Sequence, residues 1–276
     1  MKKTYLAIGA SLLFGPSLSF SATVVSVDFY LNGGGWDFHE RATNSANWNL
    51  DQVGAGVESV AGGNWNTFQT TATGATGTNL LDNMGASSGI GFSIVSDFHW
   101  YSKSNGSQID KALFDGTGSL TGDSLNQARS NLRILTTQLG ANTGGSVTLS
   151  LSDISYAAYD IIVYVGGDDA NGRKGAMALG SSTFYYLTQA GSAFQAAPDF
   201  IQATATDEAD AATANYIRFS GLSGDSQTLT LDALTGNLGI TGFQVVEVIP
   251  EPSTYALAGG VFALGVTLVI RRRRKN

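Results

Sequence analysis

The stretch YDIIVYV, residues 159–165, decides the fold of this chain. Residues 161–165 are continuously apolar, which indicates a central strand. Two other stretches, residues 147–151 and 228–231, alternate apolar and polar residues as strands with one buried face do. The same patterns predict ten strands in all, at residues 23–30, 91–95, 146–151, 159–165, 174–179, 183–187, 200–205, 215–220, 227–232 and 240–248.

The composition agrees with a protein made of many short strands. The 276 residues include 35 glycines and only 13% are charged, which is low for a helix-rich soluble protein. Glycine, asparagine and aspartate between the apolar runs are typical of tight turns. One helix is predicted at residues 125–135, capped by Asp123 or Ser124. We therefore predict an all-β fold, an antiparallel β-sandwich of the jelly-roll kind, over residues 22–248.

The stretches LSLSDISYAAYDIIVYVGGD, residues 149–168, and NYIRFSGLSG, residues 215–224, resemble the galactose-binding-like jelly rolls of exported bacterial proteins. That resemblance implies two antiparallel sheets with loops at one end for a ligand. Many such domains bind carbohydrate, but the fold by itself does not establish a ligand.

Charge excludes one class of partner. Residues 22–249 exclude the basic residues of the two ends and Glu251. They hold 8 basic and 21 acidic residues, which gives a formal net charge of −13. Such a surface repels nucleic acid, so no nucleic-acid partner is expected. The chain has no cysteine, which excludes disulfides, thiolate metal sites and a cysteine nucleophile.

The first 21 residues have the pattern of a signal peptide. Lys2 and Lys3 precede an uncharged stretch, and Ser19 and Ser21 stand at the −3 and −1 positions for cleavage before Ala22. We expect export through the Sec translocon and cleavage by signal peptidase. The alternative is an N-terminal membrane anchor.

The C-terminus, residues 249–276, has three parts in order. Pro250, Glu251 and Pro252 come first, followed by an uncharged stretch at residues 255–270. That stretch would span about 24 Å as a helix, enough to cross a bilayer with some local thinning. A basic end then orients the segment with its positive residues in the cytoplasm. The basic residues are Arg271, Arg272, Arg273, Arg274 and Lys275.

This tail resembles the PEP-CTERM sorting signal of Gram-negative bacteria, on the motif Pro250-Glu251-Pro252, the transmembrane stretch and the basic end. The resemblance covers residues 249–276 only. It implies cleavage by an exosortase-type enzyme, a precursor held in the inner membrane with its body in the periplasm, and a mature form at the cell surface or in the extracellular matrix. A plain tail anchor is the alternative.

Aromatic residues are the candidate ligand contacts. Exposed rings stack on sugars, whereas buried rings fill a core, and both interpretations stay open. The candidate platform consists of Trp36, Trp48, Trp65 and Trp100, with Tyr101, Tyr185 and Tyr186 as further members.

Two metal sites are considered. Asp168, Asp169 and Asn171 surround a turn after the central strand and suit a hard cation such as calcium, with a purely structural turn as the alternative. His39 and His99 each follow Asp-Phe, and could form a zinc site if their segments met. Aromatic packing or coincidence is the other interpretation. No cofactor beyond calcium is expected.

The leading functional hypothesis is a non-catalytic, surface- or matrix-sorted protein whose body contacts extracellular polysaccharide. No nucleophile elbow, phosphate loop or zinc-protease helix occurs in the sequence, so we expect no enzyme. The alternatives are a secreted carbohydrate-active hydrolase, which needs two facing carboxylates, and a purely structural surface protein.

Overall fold

The computed structural model describes residues 22–30, 56–58, 64–101, 131, 134–135, 137–167, 172–188 and 200–249. Those between Ala22 and Val248 form one compact unit. More than half of them belong to the strands of two seven-stranded sheets, so the prediction of an all-β sandwich is confirmed. None of the described residues belongs to a helix long and apolar enough to cross a membrane.

Sheet I contains the strand that the sequence predicts as central, and this strand, β8, is an interior strand with a neighbour on each side. Its order is β12-β8-β14-β1-β2, and β6 and β5 extend it from β14. Its strands are β1 (Val24–Tyr30), β2 (Trp65–Gln69), β5 (Phe98–Tyr101), β6 (Thr137–Ala141), β8 (Tyr159–Gly167), β12 (Tyr216–Leu222) and β14 (Leu238–Glu247).

Sheet II faces sheet I across the core, in the order β11-β10-β9-β13-β7-β4-β3. Its strands are β3 (Gly74–Gly77), β4 (Gly91–Val95), β7 (Ser146–Ser152), β9 (Lys174–Leu179), β10 (Ser182–Thr188), β11 (Ala212–Ala214) and β13 (Gln227–Ala233).

The prediction of purely antiparallel sheets is wrong at two strand pairs. β1 and β2 pair in parallel, and so do β10 and β11. A short hairpin can join only antiparallel strands, whereas a long connection lets the chain return and run in the same direction. Residues 31–64 separate β1 from β2, and residues 189–211 separate β10 from β11, so both connections are long enough.

β14 lies at the centre of sheet I, where the sheet divides. One edge pairs with β8 along its length, while the other edge pairs first with β6 and then with β1. The change of partner coincides with a register shift between Ile240 and Gly242. At Gly239 a Cβ atom would lie 2.3 Å from the carbonyl oxygen of Leu139, so this crowded junction requires glycine.

The main core lies between the sheets. Val25, Val27 and Phe29 of β1 point into it, in the period of two that the sequence shows. Phe243 of β14 is fully buried, with its ring centroid 5.4 Å from that of Phe92 in sheet II. Contacts of this kind join the two sheets into one hydrophobic core.

Local pattern misses some elements and adds one. β2, β3, β5, β6 and β11 were not predicted. Four of them are short and contain glycine, threonine or asparagine, whereas β5 is the short aromatic run FHWY, which strand propensity favours. Residues 200–205 form no strand. They make only isolated bridges, between Gln202 and Tyr216 and between Ala205 and Tyr185. Of the predicted helix, Asn131 and Ile134 are helical, and most of the remainder lies outside the described residues.

Candidate functional site

The outer face of sheet I, which points away from sheet II, carries a second hydrophobic cluster. Ile162 and Tyr164 of β8 belong to it, together with Val24 and Val246 of the neighbouring strands. Ile134 packs over them. This cover explains why β8 is continuously apolar, because its two faces are both buried.

An aromatic row crosses this outer face; we use the name for Trp65, Tyr164, Phe200 and Tyr216. Successive ring centroids are 6.5 Å, 5.2 Å and 6.3 Å apart. Tyr164 is fully buried, whereas the other three rings are partly exposed. The row therefore presents aromatic surface at both of its ends.

The crossing segment, residues 56–58, passes over the centre of the row. Gly56 has a φ of +96°, and a Cβ atom at this position would lie 2.9 Å from Tyr164 Oη and 3.0 Å from Trp65 Cζ2. A glycine is needed here both for the backbone conformation and for the close approach to two rings. Its backbone N–H donates to Asn131 Oδ1 at 3.2 Å.

Gln244 connects the crossing segment to the sheet. Its Oε1 accepts from the Tyr164 hydroxyl at 2.6 Å and from the Glu58 N–H at 3.2 Å. Its Nε2 donates to Ser26 Oγ at 3.0 Å and to the Glu58 carbonyl at 3.2 Å. The Tyr164 hydroxyl in turn accepts from the Val57 N–H at 2.7 Å. Burial raises the pKa of Tyr164 far above its usual range, so its hydroxyl remains a donor.

A charged group borders the row on the β12 side. The Arg218 guanidinium forms an ion pair with Glu58, and its Nη1 lies 3.6 Å from Asp160 Oδ2. Asp160 also accepts from Ser220 Oγ at 3.1 Å and from the Gly221 N–H at 2.9 Å. Partial burial lowers the pKa of Arg218. One cation between two carboxylates leaves a net negative group of donors and acceptors, which suits hydroxyl groups better than anions.

The structure separates the tryptophans of the predicted platform. Trp65 belongs to the aromatic row, whereas Trp100 lies on β5 and is 51% exposed. Tyr186 is fully buried in the main core, so for that ring the core-filling alternative is right. Trp36 and Trp48 lie outside the described residues.

Sequence reasoning missed the contribution of Phe200 and Tyr216 to this surface. Tyr216 and Arg218 are two residues apart on β12 and point to the same outer face, a spacing that could have identified them. Nothing in the sequence shows that Trp65 lies in the same row, because the two segments are joined only through sheet I.

Most residues of the two predicted metal sites lie outside the described residues. Asp168, Asp169 and Asn171 lie outside the described residues, as does His39. His99 is described, and its Nδ1 lies 3.0 Å from Thr70 Oγ1. Within the described ranges, no three side chains of histidine, cysteine, aspartate or glutamate are grouped to hold a metal ion.

The two ends of the compact unit meet at one point. Thr23 Oγ1 donates to Glu247 Oε2 at 2.6 Å, and the Glu247 N–H donates to the Thr23 carbonyl at 2.8 Å. Tyr156 lies nearby, where burial, Glu247 and Asp82 raise its pKa to about 12. The sorting motif Pro250-Glu251-Pro252 and the basic end, residues 271–275, lie outside the described residues.

The chain matches no protein-family model, and no curated protein sequence is significantly similar to it. The functional argument therefore depends on its own residues.

Proposed function

We propose that this chain is an exported, non-catalytic protein that is sorted to the cell surface or extracellular matrix by cleavage at its C-terminal Pro-Glu-Pro motif. The observation on which this depends is the sequence of the tail. It contains Pro250-Glu251-Pro252, then an uncharged stretch at residues 255–270, then a basic end. Prolines on both sides of Glu251 favour an extended backbone accessible to a processing enzyme.

The strand boundaries support this proposal. β1 begins at Val24, so cleavage before Ala22 leaves the first strand complete. β14 ends at Glu247, so cleavage at or after Pro250 leaves the last strand complete. A protein cut at both ends would thus keep every described strand, as a mature folded domain requires.

Replacing Pro250, Glu251 and Pro252 together with alanine should abolish C-terminal processing. The expected result is an unprocessed form in the inner membrane, because the recognition segment is lost while the hydrophobic stretch remains. Fractionation and immunoblotting in a Gram-negative host with an exosortase would measure it. The matched control replaces the adjacent Ser253 and Thr254 with alanine. Equal release of the triple variant and the parent would contradict the sorting proposal.

The second part of the proposal is that the body contacts extracellular polysaccharide. Trp100 supports it, since an indole ring that is 51% exposed on a strand is available for stacking. The exposed ends of the aromatic row, with Arg218, Asp160 and Glu58 beside them, offer a second surface. The formal net charge of −13 over residues 22–249 favours neutral polysaccharides over polyanionic ones.

Trp100→Ala should weaken retention of the body, residues 22–249, on a neutral polysaccharide by about tenfold, as removal of one stacked aromatic anchor does. Affinity electrophoresis would measure the change in dissociation constant. Val95→Ala is the matched control, because Val95 is an exposed apolar residue of sheet II with no aromatic ring. No retention of the parent body on any glycan would favour a structural surface protein instead.

A further inference from the structure

The end of the sandwich where Thr23 and Glu247 are hydrogen-bonded is here called the terminal end. It is formed by the loops at residues 78–90, 153–158 and 223–226. Backbone bonds join these loops to the chain ends. The Asn83 N–H donates to the Val24 carbonyl at 2.8 Å, and the Val248 N–H donates to the Ala158 carbonyl at 2.9 Å. Backbone hydrogen bonds therefore tie both chain ends into this end of the sandwich.

From this observation, and resting on the proposed membrane-held precursor, we propose that the terminal end is a docking surface for the bilayer that holds the tail. Only seven residue steps join Val248 to the uncharged stretch that begins at Tyr255. Fully extended, they span at most about 25 Å. The domain is longer than that along its strands, since the ten residues of β14 rise roughly 33 Å. An orientation with the opposite end on the lipid is thus excluded, whereas the terminal end can reach it.

The side chains of the terminal end suit a lipid interface. Met84 is 79% exposed, and Leu81 and Val248 are 43% and 41% exposed. Met84 directly follows Asn83, whose side chain accepts from the Val24 N–H at 3.0 Å. Three apolar side chains therefore surround the place where both chain ends leave the sheet.

Charge selects the kind of lipid. The described acidic residues of this end include Asp153, Asp225 and Glu247. Lys174 and Arg173 lie at the opposite end, where β9 begins and where Lys174 forms an ion pair with Glu208. An acidic rim is repelled by anionic headgroups. The surface therefore fits a zwitterionic bilayer, and the tail, rather than electrostatic attraction, brings it there.

Single-cysteine labelling tests this proposal directly, since the chain has no cysteine of its own. The membrane-held form, residues 22–276, is placed in phosphatidylcholine vesicles with a fluorophore at Met84→Cys, Val248→Cys or Asn142→Cys. Asn142 is exposed in the turn between β6 and β7, at the opposite end. A quencher on the lipid then reports contact with the bilayer.

We expect the Met84 label to lose most of its fluorescence and to shift to the blue, while the Asn142 label changes little. A Met84 label that remains as exposed to water as the Asn142 label, in protein that stays with the vesicles, would overturn the docking proposal and leave sorting intact. Because Val248 can lie up to about 25 Å from the lipid while the tail is inserted, insertion is measured separately, by flotation of the vesicles after alkaline extraction. Protein released from the vesicles by that treatment would overturn both proposals. Comparison with label on Ser226→Cys, also exposed at the terminal end, separates end-on docking from a local contact of Met84, because only end-on docking quenches both.

Discussion

Gln244→Leu should lower the free energy of unfolding by about 3 kcal/mol, since each buried polar group left without a partner costs about 1–3 kcal/mol. Leucine fills a similar volume but makes none of the four hydrogen bonds that Gln244 forms. The Tyr164 hydroxyl and the Ser26 hydroxyl would each lose a buried partner. The crossing segment would also lose two of its bonds to sheet I.

Urea denaturation of the body, residues 22–249, measures this loss. Gln202→Leu is the matched control, because Gln202 is exposed and, among the described residues, its side chain accepts one bond, from the Tyr216 hydroxyl at 3.2 Å. That change should stay within about 0.5 kcal/mol of the parent. A double-mutant cycle with Tyr164→Phe should show coupling between the two sites. Additive losses would mean that the network does not act as a unit.

Phe243→Ala should lower the free energy of unfolding by about 3–5 kcal/mol, as removal of a buried ring that leaves a cavity does. Phe243 is fully buried, and its ring contacts those of Phe29 in the same sheet and Phe92 in the opposite one. Its neighbours belong to paired strands that cannot easily collapse into the space.

Thermal and urea denaturation of Phe243→Ala and Phe243→Leu give the comparison. Leucine restores part of the volume, so its loss should be clearly smaller than that of alanine. An alanine variant with the stability of the parent would show that the two sheets are not held together at this position.

The strands follow from local pattern to a large extent. β4 and β9 have the predicted bounds, residues 91–95 and 174–179, and β7 and β13 extend theirs by one residue. Fully buried positions alternate with less buried ones in β7 and β13, so the alternation of their side chains reports burial directly. The signal for β8 is different: its continuous apolar run predicts a central strand, and in the structure residues on both of its faces are buried.

The candidate site could be predicted only in part. Trp65 and Trp100 are both candidates from the sequence. In the structure Trp65 is partly buried within the aromatic row, whereas Trp100 is half exposed. A residue's exposure depends on what packs over it. Gly56 packs against Trp65, and it lies nine positions earlier in the chain, where no sequence pattern predicts the contact.

Sequence alone was enough for the all-β class, the acidic body and the expectation of export and sorting, because composition and linear order carry those properties. Tertiary structure decided the parallel pairs, the division of sheet I at β14, the aromatic row and the meeting of Thr23 with Glu247. The physical reason is distance along the chain. Thr23 and Glu247 are 224 residues apart, and only the register of β1 against β14 brings them within hydrogen-bonding distance.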